Sequence, residues 1–198
     1  ELSSICSSAE IPLVNIIDDK TAVASHYAAV NFRRFQNQSR NVMFVDAGAT
    51  SLKVYCYIFG TVGHYSYANE TVYTWTEKGG AYHFAKNIAE AKELSMKKAM
   101  RYFREKKPSM YINNVSDPSK AIITAIADAY ETFTTFLQSE NFPDNSGVID
   151  EVQVFGGASK NELITKAIMR AANQTKLNYE FNQNEAIAKG IVYRRAMS

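Results

Sequence analysis

Two stretches of this 198-residue chain carry a short apolar run into a bend of small residues: Val45-Asp46-Ala47-Gly48-Ala49-Thr50-Ser51 and Val154-Phe155-Gly156-Gly157-Ala158-Ser159-Lys160. Small side chains let backbone amides come close to a ligand, and successive amides can form an anion-binding nest. Asp46, at the end of its apolar run, can hold Mg²⁺ through water, because that ion keeps much of its hydration. Gly156-Gly157 opens the backbone ahead of a predicted helix, whose N-terminal amides and dipole favour a polar or anionic ligand. A third place is Asp18-Asp19, where a carboxylate could orient water or a metal, or simply cap a helix. Taken singly, these stretches are more often a hairpin turn, a strand-to-helix turn and an N-cap.

The elements that must position them can be read from periodicity. Pro12 to Ile17 is a short apolar strand, and the Ala-rich run from Thr21 to Asn31 is helical. Val42 to Val45 is a buried strand. Ser51 to Phe59 alternates Leu52, Val54, Cys56 and Ile58 with Lys53, Tyr55, Tyr57 and Phe59, a period of two. His64 to Trp75, rich in Tyr, Val and Thr, adds one or two strands, and such tight connections predict antiparallel pairing. Gly79-Gly80 punctuates a switch to an amphipathic helix over Ala81 to Lys107, whole or broken. Tyr111 to Ser116 is a linker. Asp117 reads as an N-cap with Pro118 at the first helical position, ahead of an apolar face of Ile122, Ile126, Ala129, Phe133 and Leu137. Val152 to Phe155 is a strand. Ser159-Lys160-Asn161-Glu162 reads as a capping box. Leu177 to Phe181 is a short strand, and Asn182 caps a last helix. The order predicts a mixed α/β sheet packed with helices.

Composition narrows the function. Lys plus Arg number 22 against 20 Asp plus Glu, a net charge of +2, which argues against a nucleic-acid reader. No apolar run approaches the ~18 residues a membrane span needs. Cys6 and Cys56 cannot build a disulfide framework, and His26, His64 and His83 form no zincin motif. The start lacks an initiator Met and a leader, and the end lacks a retention tetrapeptide, so a fragment of a longer protein is expected.

Order and spacing together resemble the nucleotide-binding domain of the 70-kDa heat-shock chaperones, members of the actin-like ATPases. Ile17-Asp18-Asp19-Lys20-Thr21-Ala22-Val23-Ala24 resembles their segment joining strand to helix in the first lobe. Asn41 to Gly48 resembles their second phosphate loop, and Val154 to Ser159 their adenosine motif. Asn182-Gln183-Asn184-Glu185-Ala186-Ile187-Ala188-Lys189-Gly190 resembles their closing helix. Ala158 after the paired glycines leans towards the large 110- and 170-kDa members.

The resemblance implies an actin-like ATPase lobe of ribonuclease H-like fold. Residues 1–39 would end the first lobe and residues 40–198 form the second, with a shortened helical subdomain around residues 80–116. It implies ATP or ADP with Mg²⁺ as cofactors. Asp19, Asp46 and Ser51 would fall on catalytic positions, with Asp46 holding Mg²⁺ through water. Gly48, Ala49, Thr50, Gly156, Gly157, Ala158, Lys160 and Asn184 would line the nucleotide. Lys97 and Lys98 would be a remnant basic pair, or part of a solvated helix face with Arg101 and Arg104. Departures are equally clear. Ala49 and Thr50 stand where the family has glycines, Lys53 where it has an acid, Asp19 where it has Glu, Lys160 where it has Arg, and Asn184 where it has Asp. The first phosphate loop and the hydrolysis lysine have no counterpart, so the chain alone is expected not to hydrolyse ATP.

The expected role is thus the ATP-binding lobe of a chaperone or of its nucleotide-exchange partner. Its partners would be nucleotide, unfolded polypeptide through a substrate domain outside this chain, and a 70-kDa chaperone. Asn-x-Ser/Thr sequons at Asn37, Asn69, Asn114 and Asn173 leave the endoplasmic-reticulum lumen and the cytoplasm both open. The alternatives are an actin-like filament or scaffold protein, a small-molecule kinase on the same core, and a nucleotide-free interaction module.

Overall fold

The computed structural model describes residues 7–9, 17–35, 38–62, 65–105, 116–139, 148–172, 177–179 and 182–197. The strand predicted over Pro12 to Ile17 lies outside these residues except for Ile17. Six helices and four strands follow in the described residues: α1 (Asp19–Asn31), β1 (Arg40–Ala47), β2 (Leu52–Val62), β3 (Tyr65–Thr76), α2 (Ala81–Ala91), α3 (Met96–Glu105), α4 (Ser116–Leu137), β4 (Glu151–Phe155), α5 (Glu162–Ala171) and α6 (Gln183–Met197).

The strands form one sheet in the order β3-β2-β1-β4. The β1–β2 and β2–β3 pairs are antiparallel, as their short connections require. The β1–β4 pair is parallel, with α2, α3 and α4 lying between them in sequence. Asn178 adds a single parallel bridge to Gln153, which is what becomes of the short strand predicted over Leu177 to Phe181.

Alternation places side chains on two cores. Met43, Val45, Leu52, Val54, Cys56, Ile58, Val152 and Val154 face helices α2 to α5. Val42, Phe44, Tyr55, Tyr57, Phe59 and Phe155 face α1 and α6. The sheet is therefore buried on both faces, and the period of two in β2 separates two apolar environments rather than core from solvent. The second face is aromatic: Phe44 stacks on Tyr55 at 5.4 Å, and Tyr27 of α1 meets Phe44 edge-on at the same distance. Gly190 lets α6 close on α1, since a Cβ there would lie 1.8 Å from the Ala22 carbonyl oxygen.

Of the two forms expected over Ala81 to Lys107, whole or broken, the structure has the broken one, and two further local predictions need correction. Glu93 turns to φ 50°, and Leu94 N–H reaches back to Ala89 C=O at 2.9 Å, the long bond of a Schellman stop. Helix α4 begins at Ser116, so Asp117 lies within its first turn instead of capping it. The cap of α5 is Asn161, whose side chain accepts from Leu163 N–H at 3.0 Å, and Ser159 stays in the preceding turn.

Candidate functional site

Parallel pairing sets Asp46 beside Phe155, so β1 and β4 end at the same edge of the sheet and both bends emerge together. They touch directly: Ala158 N–H donates to Ala47 C=O at 2.9 Å. Gly156, at φ 98°, makes that contact possible. A Cβ on it would lie 2.4 Å from the Ala47 carbonyl oxygen and 2.5 Å from Asp46 Oδ1. The second bend stays open at Gly157, where an added Cβ would meet nothing within 4 Å. Gly157 and Lys160 are exposed, while Ala158 and Ser159 are buried. Because Ser159 N–H closes onto Gly156 C=O at 3.1 Å, the paired glycines lie a full turn ahead of α5 and do not form its N-terminus.

The first bend is fixed from behind. Gly48 N–H donates to Ser51 C=O at 2.9 Å, and the opening amides of α2 donate back to the loop, Ala81 to Gly48 at 3.2 Å and Tyr82 to Ala49 at 2.7 Å. Gly80 lies flat on this loop, with room for no Cβ within 2.3 Å of the Thr50 carbonyl carbon. Ala49 and Thr50 form an exposed crest, and Ser51 is half-buried at the start of β2.

Beside the bends lies a charged triad. Asp18 caps α1, accepting from Thr21 N–H at 2.7 Å. Burial acts to raise Asp18, but the hydrogen bonds from Thr21 outweigh it and hold its carboxyl below the usual range. Asp19, the next residue, receives the ammonium of Lys53 in a direct ion pair. Lys53 is the cross-strand partner of Asp46, so both side chains rise from the same face of the sheet. Burial pushes the Asp46 carboxyl up to about 6; Lys53 pulls against this and Asp19 adds to it. The hydrogen bond to Asp19 holds the Lys53 ammonium above its usual range.

Asp19, Asp46, the Gly48–Ser51 bend and the Gly156–Lys160 bend are thus brought to one end of the sheet. Asn184 lies in α6, and its side chain is outside the described residues. Lys97 and Lys98 are exposed on α3. The site residue missed by sequence reasoning is Lys53, noted there only as a departure. Its parity with Tyr55 and Tyr57 gave its face, but its reach to a carboxylate 34 residues earlier gave no local signal.

The sequence resemblance implies a nucleotide and a divalent cation. The two exposed crests beside one another suit phosphate oxygens. The donor set does not suit Mg²⁺. One Asp19 oxygen already holds an ammonium, Asp46 is buried beside that ammonium's strand position, and among the described residues no three His, Cys, Asp or Glu side chains converge. A groove of about 660 Å³ lies elsewhere, between the end of β3, α2 and α4, lined by Trp75, His83, Lys86, Lys120 and Asp128 among others.

No family model and no curated protein matches the chain. Among solved structures it is similar to the ethanolamine utilization protein EutJ from Carboxydothermus hydrogenoformans, with a TM-score of 0.54 and 14% sequence identity. The likeness covers 96% of this chain and 59% of that one, so this chain spans less than two thirds of the structure it matches. At that identity the likeness shows the fold alone: a mixed α/β architecture with a four-stranded mixed sheet packed with helices.

Proposed function

We propose that this chain is the nucleotide-binding lobe of a heat-shock-type chaperone or of its nucleotide-exchange partner. Its two bends would hold the phosphates of ATP or ADP. The observation that carries the reading is the Ala158-to-Ala47 hydrogen bond, which joins two small-residue bends at the ends of parallel strands. Two separate bends would each be ordinary turns. Joined, they make one polar rim with Ala49, Thr50 and Gly157 at its surface.

The chaperone class rests on the order of the sequence motifs, with the lean to the large members resting on Ala158. Binding without turnover is expected because the first phosphate loop and the hydrolysis lysine of the resembled family have no counterpart in this chain. Stabilising phosphoryl transfer also needs donors from both sides of the transferred group.

The test is thermal melting of the chain with ADP or ATP. Nucleotide at about 100 times its dissociation constant should add roughly 2.7 kcal/mol to stability. No shift with either nucleotide would leave the rim an ordinary pair of turns. Turnover by this chain that disappears in Asp46→Ala would refute binding without hydrolysis. For the exchange role, the complete protein should accelerate release of labelled ADP from a 70-kDa chaperone.

A second reading is an actin-like filament or scaffold subunit. It is favoured by the edge strand β3, which leaves Tyr73 and Trp75 about half-exposed, at 46% and 55%. A filament former would pellet with nucleotide in a sedimentation assay, and a chaperone lobe would not.

A further inference from the structure

We propose that the Lys53 ammonium is the resident cation of this site and takes the place of a divalent metal, so that nucleotide is held without Mg²⁺. The nucleotide half of this inference rests on the function proposed above; the cation half stands on the geometry alone.

Three observations converge on Lys53. Its backbone pairs directly across from Asp46, which puts the two side chains on one face of the sheet. Its ammonium is bound to Asp19, at the start of the helix that packs on that face. Its position is structurally fixed, because β2 is flanked by β1 and β3 along its length. One positive group is therefore bound to a partly exposed carboxylate and rises beside a buried one, on the face where a metal serving both would lie.

The chemistry favours the ammonium over the metal. Mg²⁺ requires near-octahedral oxygen donors, and Lys53 would repel it at close range while holding one of the two carboxylates. A lysine is itself an effective phosphate ligand, acting as a point charge. With the bend crests alongside, it can neutralise phosphate charge that a metal neutralises elsewhere. A single ammonium supplies less charge than a divalent ion, which fits a site that binds nucleotide and does not activate it for transfer.

The neighbouring charges leave Lys53 in place. Lys20, one residue beyond Asp19, is held by Glu70 and lies over the Tyr73 ring at 5.4 Å, so a second cation is tied down beside the first. Asp18 is committed to Thr21.

The experiment uses the intact chain in two titrations. In the first, Mn²⁺ is added without nucleotide and free Mn²⁺ is followed by electron paramagnetic resonance. The native chain should show no site tighter than about 1 mM, whereas Lys53→Gln should gain at least about tenfold in affinity. In the second, a fluorescent ADP is titrated with Mg²⁺ and again with EDTA. The native affinities should agree within about twofold, and Lys53→Gln should lose binding in EDTA. A micromolar Mn²⁺ site in the native chain, or ADP binding that needs Mg²⁺, overturns the proposal. If no ADP binds in either buffer, the nucleotide reading fails, while the gain of Mn²⁺ affinity in Lys53→Gln still upholds Lys53 as the resident cation and its absence overturns it. Should Lys53→Gln not fold, the native titrations alone decide.

Discussion

Glu151 and Asp46 are both buried carboxylates, and both face α1 and α6 from the same sheet. They sit at opposite ends of the β1–β4 pair, since Glu151 pairs with Val42 and Asp46 with Phe155. Four residues of strand separate Val42 from Asp46, about 13 Å. Their surroundings differ in kind. Glu151 accepts from Tyr27 Oη at 2.8 Å, from Asn178 Nδ2 at 2.7 Å and from the Gln153 amide, with Arg34 at 3.9 Å. These partners come from α1, the short turn after it, β4 and the segment after α5. Glu151 is a fastener, holding separate elements with donors already in place. Asp46 instead feels the charge of an ammonium that is bound to a second acid, Asp19. The difference teaches that burial alone does not mark a site. A buried carboxylate that fastens several elements is structural; one whose proton affinity is raised by burial beside a charged pair is placed for chemistry.

The widest gap between the two ends should show in stability. Glu151→Ala leaves the Tyr27 hydroxyl, the Asn178 amide and Arg34 facing a hole, and should cost about 5 kcal/mol in urea unfolding. An effect below about 1 kcal/mol would mean that the fastener is dispensable. At the other end, Gly156→Ala should cost about 4 kcal/mol, through a positive φ and a Cβ pressed on Ala47 and Asp46. That loss should come with weakened nucleotide binding, whereas Glu151→Ala at a temperature where it remains folded should bind normally.

Acid titration then isolates the Asp46 end. Asp46 is raised to about 6 in the folded chain, so the folded state holds its proton more tightly than the unfolded state does. Stability from this group is therefore present at low pH and is lost as pH rises from about 4 to about 6, a swing of up to about 3 kcal/mol. Asp46→Asn should remove that falling limb from the stability–pH curve. An unchanged curve would show that Asp46 titrates as an ordinary carboxyl.

How far this was legible in sequence depends on how local the cause is. β1, β2 and β4 were visible as apolar runs, and the Gly156 bend as a glycine pair after one of them. The position of the break between α2 and α3 was not, because a Schellman stop usually announces itself with glycine and here Glu93 takes the left-handed position. The α5 cap shifted from Ser159 to Asn161 because Asn161 N–H closes a further turn on Ala158 C=O, at 3.0 Å, before the helix starts. Both Glu151 and Lys53 were hidden for one reason: their partners lie 124 and 34 residues away, and only the sheet register brings them together.

The finest test of the contrast is removal of Lys53 itself. Lys53→Met keeps the length and the apolar stem of the side chain while deleting its charge. The ammonium opposes the burial that raises Asp46, so its loss should raise the Asp46 carboxyl further above 6, by about one pH unit or about 1 kcal/mol. Carboxyl-carbon NMR titration would read this directly. Asp19 loses its ion pair in the same variant, but it is 40% exposed, so water takes over much of that role and the stability change from this pair should be under about 1 kcal/mol. An unchanged Asp46 midpoint would mean that Lys53 does not act on Asp46 at all. The Asp46 end would then be shaped by burial and by the Asp19 charge.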